Sequence, residues 1–296
     1  MLPSSPGFSL AACTLELVLE LKHARLVTMR CGFCRGDSKT SVSWEHVIPE
    51  SLGNHTLILP PGIVCDQCNN YFSREVERPF LDDPNIIALR NFEAISSKKG
   101  KIPAAPALLL PDMPAMVHRY TKGPFAGSIA IPTEGFERIR GLTQCNFLFA
   151  TGSPPSQSRI LSRFLAKVAA EAMMARLLSD LVMLNMWIDD PQLNPLREHA
   201  RRGKITEWPV YSRRIYERDR EFFDETGKSV QRVHESDFLV TPLNEIYFVL
   251  AIFGIELTIN VAGPSIEGYQ AWLELNDYAS PLYTGKNALG WNGHSA

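Results

Sequence analysis

The sequence predicts an α+β protein, a small zinc-stapled module near the N-terminus followed by a larger mixed α/β domain. Three observations lead there. Two C-x2-C pairs, Cys31/Cys34 and Cys65/Cys68, stand close enough in the chain to meet around one ion. The stretch Ser158 to Trp187 is rich in Ala, Leu and Met and has helical periodicity. The runs Glu245–Ile252 and Ile255–Val261 meet at Phe253-Gly254, as two buried antiparallel strands do. With 296 residues and 45% hydrophobic content, the chain can build a sizeable core.

The cysteines come first because their spacing is the most specific signal. Each C-x2-C turn is tight enough to aim two sulfurs at one point, so four thiolates can surround a tetrahedral Zn²⁺. Two disulfides are the alternative, and they are disfavoured in a reducing compartment. The stretch Leu10-Ala11-Ala12-Cys13 has the outline of a lipoprotein cleavage box. No Lys or Arg precedes it, however, and Pro3, Ser4, Ser5, Pro6 and Gly7 stand where an apolar signal core belongs. The longest apolar run, Ile246 to Ile255, is half the roughly 20 residues of a membrane span. The expected compartment is the cytoplasm, with no membrane partner. Cys13 and Cys145 read as ordinary packed thiols.

Between the knuckles the chain reads Trp44-Glu45-His46-Val47-Ile48-Pro49-Glu50-Ser51-Leu52-Gly53-Asn54, and the second knuckle continues Cys65-Asp66-Gln67-Cys68-Asn69-Asn70-Tyr71-Phe72. An imidazole is substantially neutral at physiological pH and can take a proton from water, so His46 suits a general base. A carboxylate and an amide carbonyl are hard oxygen donors, so Glu45 and Asn69 suit Mg²⁺ or Mn²⁺. In this arrangement the segment from Met29 to Phe80 resembles the HNH (His-Me finger, ββα-metal) nucleases of the zinc-knuckle type. The resemblance implies a ββα-metal module in which His46 activates water, Glu45 and Asn69 hold the catalytic ion, and Zn²⁺ on the four cysteines is structural. It also implies a buttress beneath the base, for which Asn54 is the candidate. The acidic position is Glu rather than the commoner Asp, and the last position is Asn rather than His, which favours an oxygen-liganded ion.

Strand geometry raises a difficulty, because neighbours on a regular strand face opposite ways. Glu45 and His46 are therefore expected where a strand ends or bulges, before the loop through Pro49 and Gly53. The spacing of Asn69, Phe72, Ser73 and Val76 places Asn69 at a helix start, with Asn70 as the substitute ligand if that start is one residue out. Arg74 and Arg78, one turn apart, are candidates for phosphate contacts or for a solvated face. His55 reads as a loop residue.

The remaining chain divides into an extension (1–28), a connector with little regular structure (81–114) and a mixed domain (115–296). Within the extension Thr14 to Val27 is amphipathic. Runs near Met116–Tyr120, Gly127–Ile131 and Asn146–Ala150 suit strands. The helix from Ser158 reads as a core helix, although Arg159, Arg163 and Lys167 could form an exposed cationic stripe. From Arg197 to Arg220 the chain is locally basic, with Trp208, Tyr211 and Tyr216 interleaved, so Arg201, Arg202 and Lys204 join Arg74 and Arg78 as nucleic-acid contacts. The tail after Pro281 looks loop-like. The 30 Lys+Arg and 32 Asp+Glu leave a net charge of −2, so any polyanion site is local or metal-assisted.

The expected function is a metal-dependent endonuclease hydrolysing phosphodiester bonds, DNA more than RNA, in a bacterial or phage restriction or defence setting. A homodimer is one arrangement that would let single-site modules cut both strands. The competing reading is a non-catalytic zinc-scaffolded nucleic-acid-binding or regulatory protein.

Overall fold

A computed structural model describes residues 29–282, apart from 98, 121, 123–124, 151–152, 156, 204–206, 218–219, 224–225 and 231–233. The amphipathic stretch 14–27, Cys13 and the tail after Leu282 lie outside the described residues.

The first knuckle turns back on itself through an Arg30–Asp37 bridge. Strand β1 (Glu45–His46) pairs antiparallel with β2 (Ile58–Leu59), in the register Glu45↔Leu59 and His46↔Ile58. Helix α1 (Asp66–Phe72) follows and runs through a π-helical turn (Ser73–Glu77) into α2 (Arg78–Leu81). Its apolar positions Phe72, Val76 and Phe80 are all buried. Residues 81–114 are more regular than expected. They contain α3 (Pro84–Phe92), started by Asp83, whose side chain accepts from the Asn85 N–H, and β3 (Ala105–Leu109). The Asp82-Asp83-Pro84 sequence that reads as a break is a cap followed by proline at the first helical position, where it is tolerated.

Strands β4 (Met113–Arg119), β5 (Gly127–Ala130) and β6 (Phe147–Phe149) complete an antiparallel sheet in the order β5-β4-β3-β6, with α4 (Thr133–Ile139) between β5 and β6. The expected long helix is two. Helix α5 (Arg159–Leu177) and α6 (Leu181–Asp189) part where Asp180 accepts from the backbone N–H groups of Val182 and Met183. A side chain that satisfies those donors outside the helix starts a new one. Helix α7 (Asn194–Arg202) ends at Gly203, which adopts φ 57°.

Strands β7 (Val210–Arg214), β10 (His234–Val240), β11 (Ile246–Ile252) and β12 (Ile255–Asn260) form a second antiparallel sheet in the order β10-β11-β12-β7. Strands β8 (Phe222–Phe223) and β9 (Ser229–Val230) make a small separate ribbon, and α8 (Glu267–Leu275) follows β12. The β11–β12 turn falls at Phe253 and Gly254, both at positive φ, as the sequence predicts.

Alternation explains why β11 is apolar throughout. Phe248, Leu250 and Ile252 face the main core, while Tyr247, Val249 and Ala251 face a second cluster with Tyr269 and Leu273 of α8. The main core is continuous from the knuckles through α5 to this sheet. Helix α5 lies between, buried almost all round, with Phe164 stacked on Phe80 at a centroid distance of 3.8 Å. No helix among the described residues is long and apolar enough to cross a membrane.

Candidate active site

The four knuckle sulfurs lie within 4.8 Å of one another. Cys34 Sγ and Cys65 Sγ are 3.7 Å apart, close to the roughly 3.8 Å imposed by tetrahedral bonds of about 2.3 Å to zinc. Backbone N–H groups of Gly36 and Cys68 point at Cys34 Sγ and Cys65 Sγ, at 3.4 Å each. The thiols also conflict electrostatically. A hydrogen bond from Cys68 holds Cys31 down to about 5, burial pushes Cys65 up to about 11, and the bond to Cys31 together with burial drives Cys68 far above the thiol range. Only a cation lets all four ionise together, so the donor set fits a zinc ion.

Helix α1 begins inside the second knuckle. Cys65 caps it and Asp66 is its first residue, so the helix begins three residues earlier than the sequence suggests and Asn69 lies at the end of its first turn. Asp66 accepts from the Val42 and Ser43 N–H groups, which hold its carboxyl below the usual range and fasten the segment before β1 to the helix. Asn69 Nδ2 donates to the Trp44 carbonyl at 3.2 Å. That bond orients Asn69, and not the exposed Asn70, toward the residues preceding His46.

After β1 the chain turns through Pro49 and a short 3₁₀ turn (Glu50–Leu52) that ends at Gly53, φ 88°. The turn brings Asn54, fully buried, underneath. Asn54 Nδ2 donates to the carbonyls of Ile48 (2.7 Å) and Leu57 (2.9 Å), and its Oδ1 accepts from the N–H groups of Thr56 and Leu57. One amide thus satisfies both arms of the loop that follows His46.

Glu45 and His46 are the whole of β1, so the pair stands where a strand ends, with His46 its last residue. Glu45 is 5% exposed and turned into the core, while His46 is half-buried. What receives Glu45 is Lys167 of α5, whose Nζ lies 2.6 Å from Glu45 Oε1, 2.6 Å from Glu77 Oε1 and 2.8 Å from Glu171 Oε2. The same Nζ donates to the His46 carbonyl at 3.1 Å. Burial opposes the Lys167 charge, but Glu171, Glu45 and Glu77 outweigh it and keep the ammonium well above its usual pKa. Burial raises the Glu171 carboxyl well above the carboxylate range, opposed by Lys167 and reinforced by Glu45.

Lys167 therefore forms no exposed cationic stripe with Arg159 and Arg163. Arg163 reaches Tyr71 Oη (2.9 Å) and the Arg201 carbonyl (2.9 Å), so only Arg159 of the three is exposed. The sequence reading missed Lys167, Glu171 and Glu77 as members of the site. The available signal was an i,i+4 Lys–Glu pair in the Ala-, Leu- and Met-rich middle of a helix, where a charge demands a buried partner.

The basic segment after Arg197 is also more structural than its composition suggests. Arg197 is buried; it donates to the carbonyls of Asp190 and Trp187, lies over the Trp187 ring, and is lowered to about 10 by burial. Trp208 is buried with its indole N–H on the Asn260 carbonyl. Arg213 pairs with fully buried Glu256 at 2.6 Å. Arg201 and Arg202 stand 3.7 and 3.6 Å from Glu198, Arg74 is exposed, and Arg78 is exposed near Asp82. Lys204 and Arg218 lie outside the described residues. The aromatic-and-basic interleaving is thus used largely to pack α7 and β7.

No curated protein and no solved structure gives a significant match to the chain. Residues 31–85 do match a family model described as HNH endonuclease, a span that takes in both knuckles, Glu45-His46, Asn54 and Asn69 and stops before Lys167. The resemblance carried by those residues therefore holds, and with its four-cysteine cluster this part of the chain is an HNH endonuclease domain of the zinc-knuckle type.

Proposed function

We propose that the protein is a divalent-metal-dependent endonuclease acting on DNA, with His46 as the general base. The observation that carries this reading is the Asn69–Trp44 bond, which fastens an oxygen-bearing helix residue to the segment that enters the Glu45-His46 strand, inside the family-matched span. With Asn69 Nδ2 spent on the Trp44 carbonyl, Asn69 Oδ1 is the atom suited to a hard cation. Lys167 occupies Glu45 Oε1, so Glu45 would serve the same ion through one oxygen only. Mg²⁺ or Mn²⁺ held by Glu45 and Asn69 would stabilise charge on the phosphate and the leaving oxygen. His46 takes the proton of the attacking water, and Asn54 keeps the loop after it from shifting. The zinc knuckles hold helix and strand in place and take no part in the chemistry.

The test is incubation of wild-type and His46→Ala protein with supercoiled plasmid in EDTA, Mg²⁺ or Mn²⁺, with zinc quantified alongside. Metal-dependent cleavage by wild type is expected, with a loss of about 10²–10⁴-fold in the variant and full zinc retention in both. Salt-sensitive binding without cutting, on DNA and on RNA, would replace this reading with a zinc-scaffolded binding protein.

A further inference from the structure

Strand β1 carries the proposed base on two residues, with one two-residue partner strand. A hairpin that short is marginal alone and is prone to slip. Asn54 ties the loop on one side of it through the Ile48 and Leu57 carbonyls, and Asn69 the segment on the other through the Trp44 carbonyl. A side-chain donor to the His46 carbonyl comes from outside the family-matched span.

We propose that Lys167 is the positioning residue for the His46 base, so that the catalytic strand is set by helix α5 rather than by the HNH segment alone. This inference rests on the nuclease reading. Lys167 is fully buried, and its ammonium reaches the His46 carbonyl at 3.1 Å, Glu45 Oε1 at 2.6 Å and Glu77 Oε1 at 2.6 Å. Those acceptors belong to β1 and to the π-helical turn after α1, the two elements whose relative placement fixes the distance between base and Asn69. The π-helical geometry widens the turn at Ser73–Glu77 and brings Glu77 to the ammonium. Glu171, one helical turn beyond Lys167, lies 2.8 Å from the ammonium within α5. The helix itself is locked by Phe80 on Phe164 and by Met174 against Gly32 of the first knuckle. A lysine used only to satisfy buried carboxylates would need no bond to a backbone carbonyl at the catalytic residue.

Single-turnover cleavage and ¹H–¹⁵N NMR of wild type, Lys167→Met and Lys167→Arg test this, with zinc content and far-UV circular dichroism recorded for each. Lys167→Met is expected to lower kcat by about 100-fold, as a misplacement of about 1 Å does, while KM changes less than about 2-fold because no substrate contact is lost. The His46 imidazole and Val47 amide resonances should move with it, and zinc should be retained. Lys167→Arg keeps the charge among the carboxylates and serves where Met does not fold; it should recover part of kcat and part of the shift. Wild-type kcat in a folded Lys167 variant, or unmoved His46 and Val47 resonances, would overturn the proposal. If the wild type itself cuts neither DNA nor RNA, the nuclease reading fails, and the resonances alone still decide whether Lys167 places His46.

Discussion

Lys167 Nζ lies 2.6 Å from Glu45 Oε1, and both groups are buried. The pair joins a strand of the HNH segment to a helix that begins well beyond it, so the two regions share one core rather than meeting at a surface. A buried ion pair is weak evidence for stability, because desolvating both partners offsets their attraction. Its value lies in geometry: with Glu77 and Glu171 around it, the ammonium has one low-energy position.

Asn54 is expected to be the most sensitive polar residue of the loop. Asn54→Ala removes four hydrogen bonds: the Ile48 carbonyl loses its amide donor and the Thr56 and Leu57 N–H groups their acceptor, while the Leu57 carbonyl keeps the Val47 N–H. The expected loss is about 3 kcal/mol, read as a shift of the urea midpoint, with cleavage falling alongside. Asn54→Asp should fail similarly, since it lacks the Nδ2 donors. A loss below about 1 kcal/mol would mean the loop is held by other contacts.

The seam between knuckle and helix makes a separate prediction. A Cβ on Gly32 would stand 2.0 Å from Met174 Sδ. Gly32→Ala should cost about 1–3 kcal/mol, and most of that cost should vanish in a Met174→Ala background. Coupling below about 0.5 kcal/mol in the double-mutant cycle would show that the first knuckle and α5 are independent.

Arg213 separates a structural from a nucleic-acid role for the basic segment. Glu256 is fully buried and receives Arg213, the Tyr269 hydroxyl and the Ser280 hydroxyl. Arg213→Ala strands that carboxylate and should cost about 3–5 kcal/mol, while nucleic-acid affinity measured on the folded fraction stays unchanged. A drop in affinity without a drop in thermal midpoint would restore the segment as a binding surface.

His234 on β10 gives the pH dependence a sign. Burial lowers its pKa from 6.5, and the charge of His55 lowers it further. The unfolded chain therefore takes up a proton that the folded protein resists. This contribution to stability is present above pH 6.5 and is lost as pH falls from there through the depressed folded value. The difference in thermal midpoint between pH 7.5 and pH 5.5, chosen to bracket the ordinary histidine value of about 6.5, should shrink in His234→Gln. An unchanged difference would assign the acid sensitivity elsewhere.

Legibility in the sequence followed the range of the interactions. The knuckles and the β11–β12 hairpin were readable because each rests on residues a few positions apart: C-x2-C turns and a two-residue turn at positive φ. The regular structure within 81–114 was missed because Asp83-Pro84 serves equally as a break and as a helix start, and only the Asn85 N–H bonded to Asp83 distinguishes them. The basic segment shows a related limit. Composition counts charges, whereas Arg197 and Arg213 are spent on partners far along the chain or hidden by packing.

The sequence by itself determined that two C-x2-C pairs can bring four thiols together and that an acidic–histidine pair stands between them in the chain, since local spacing dictates both. Only the tertiary structure decided how that pair is buried. Packing buries the Glu45 carboxylate while His46 stays half-buried, and a buried carboxylate needs a buried cation. That cation is Lys167, supplied by a helix whose approach depends on packing across the whole core, an interaction no local pattern encodes.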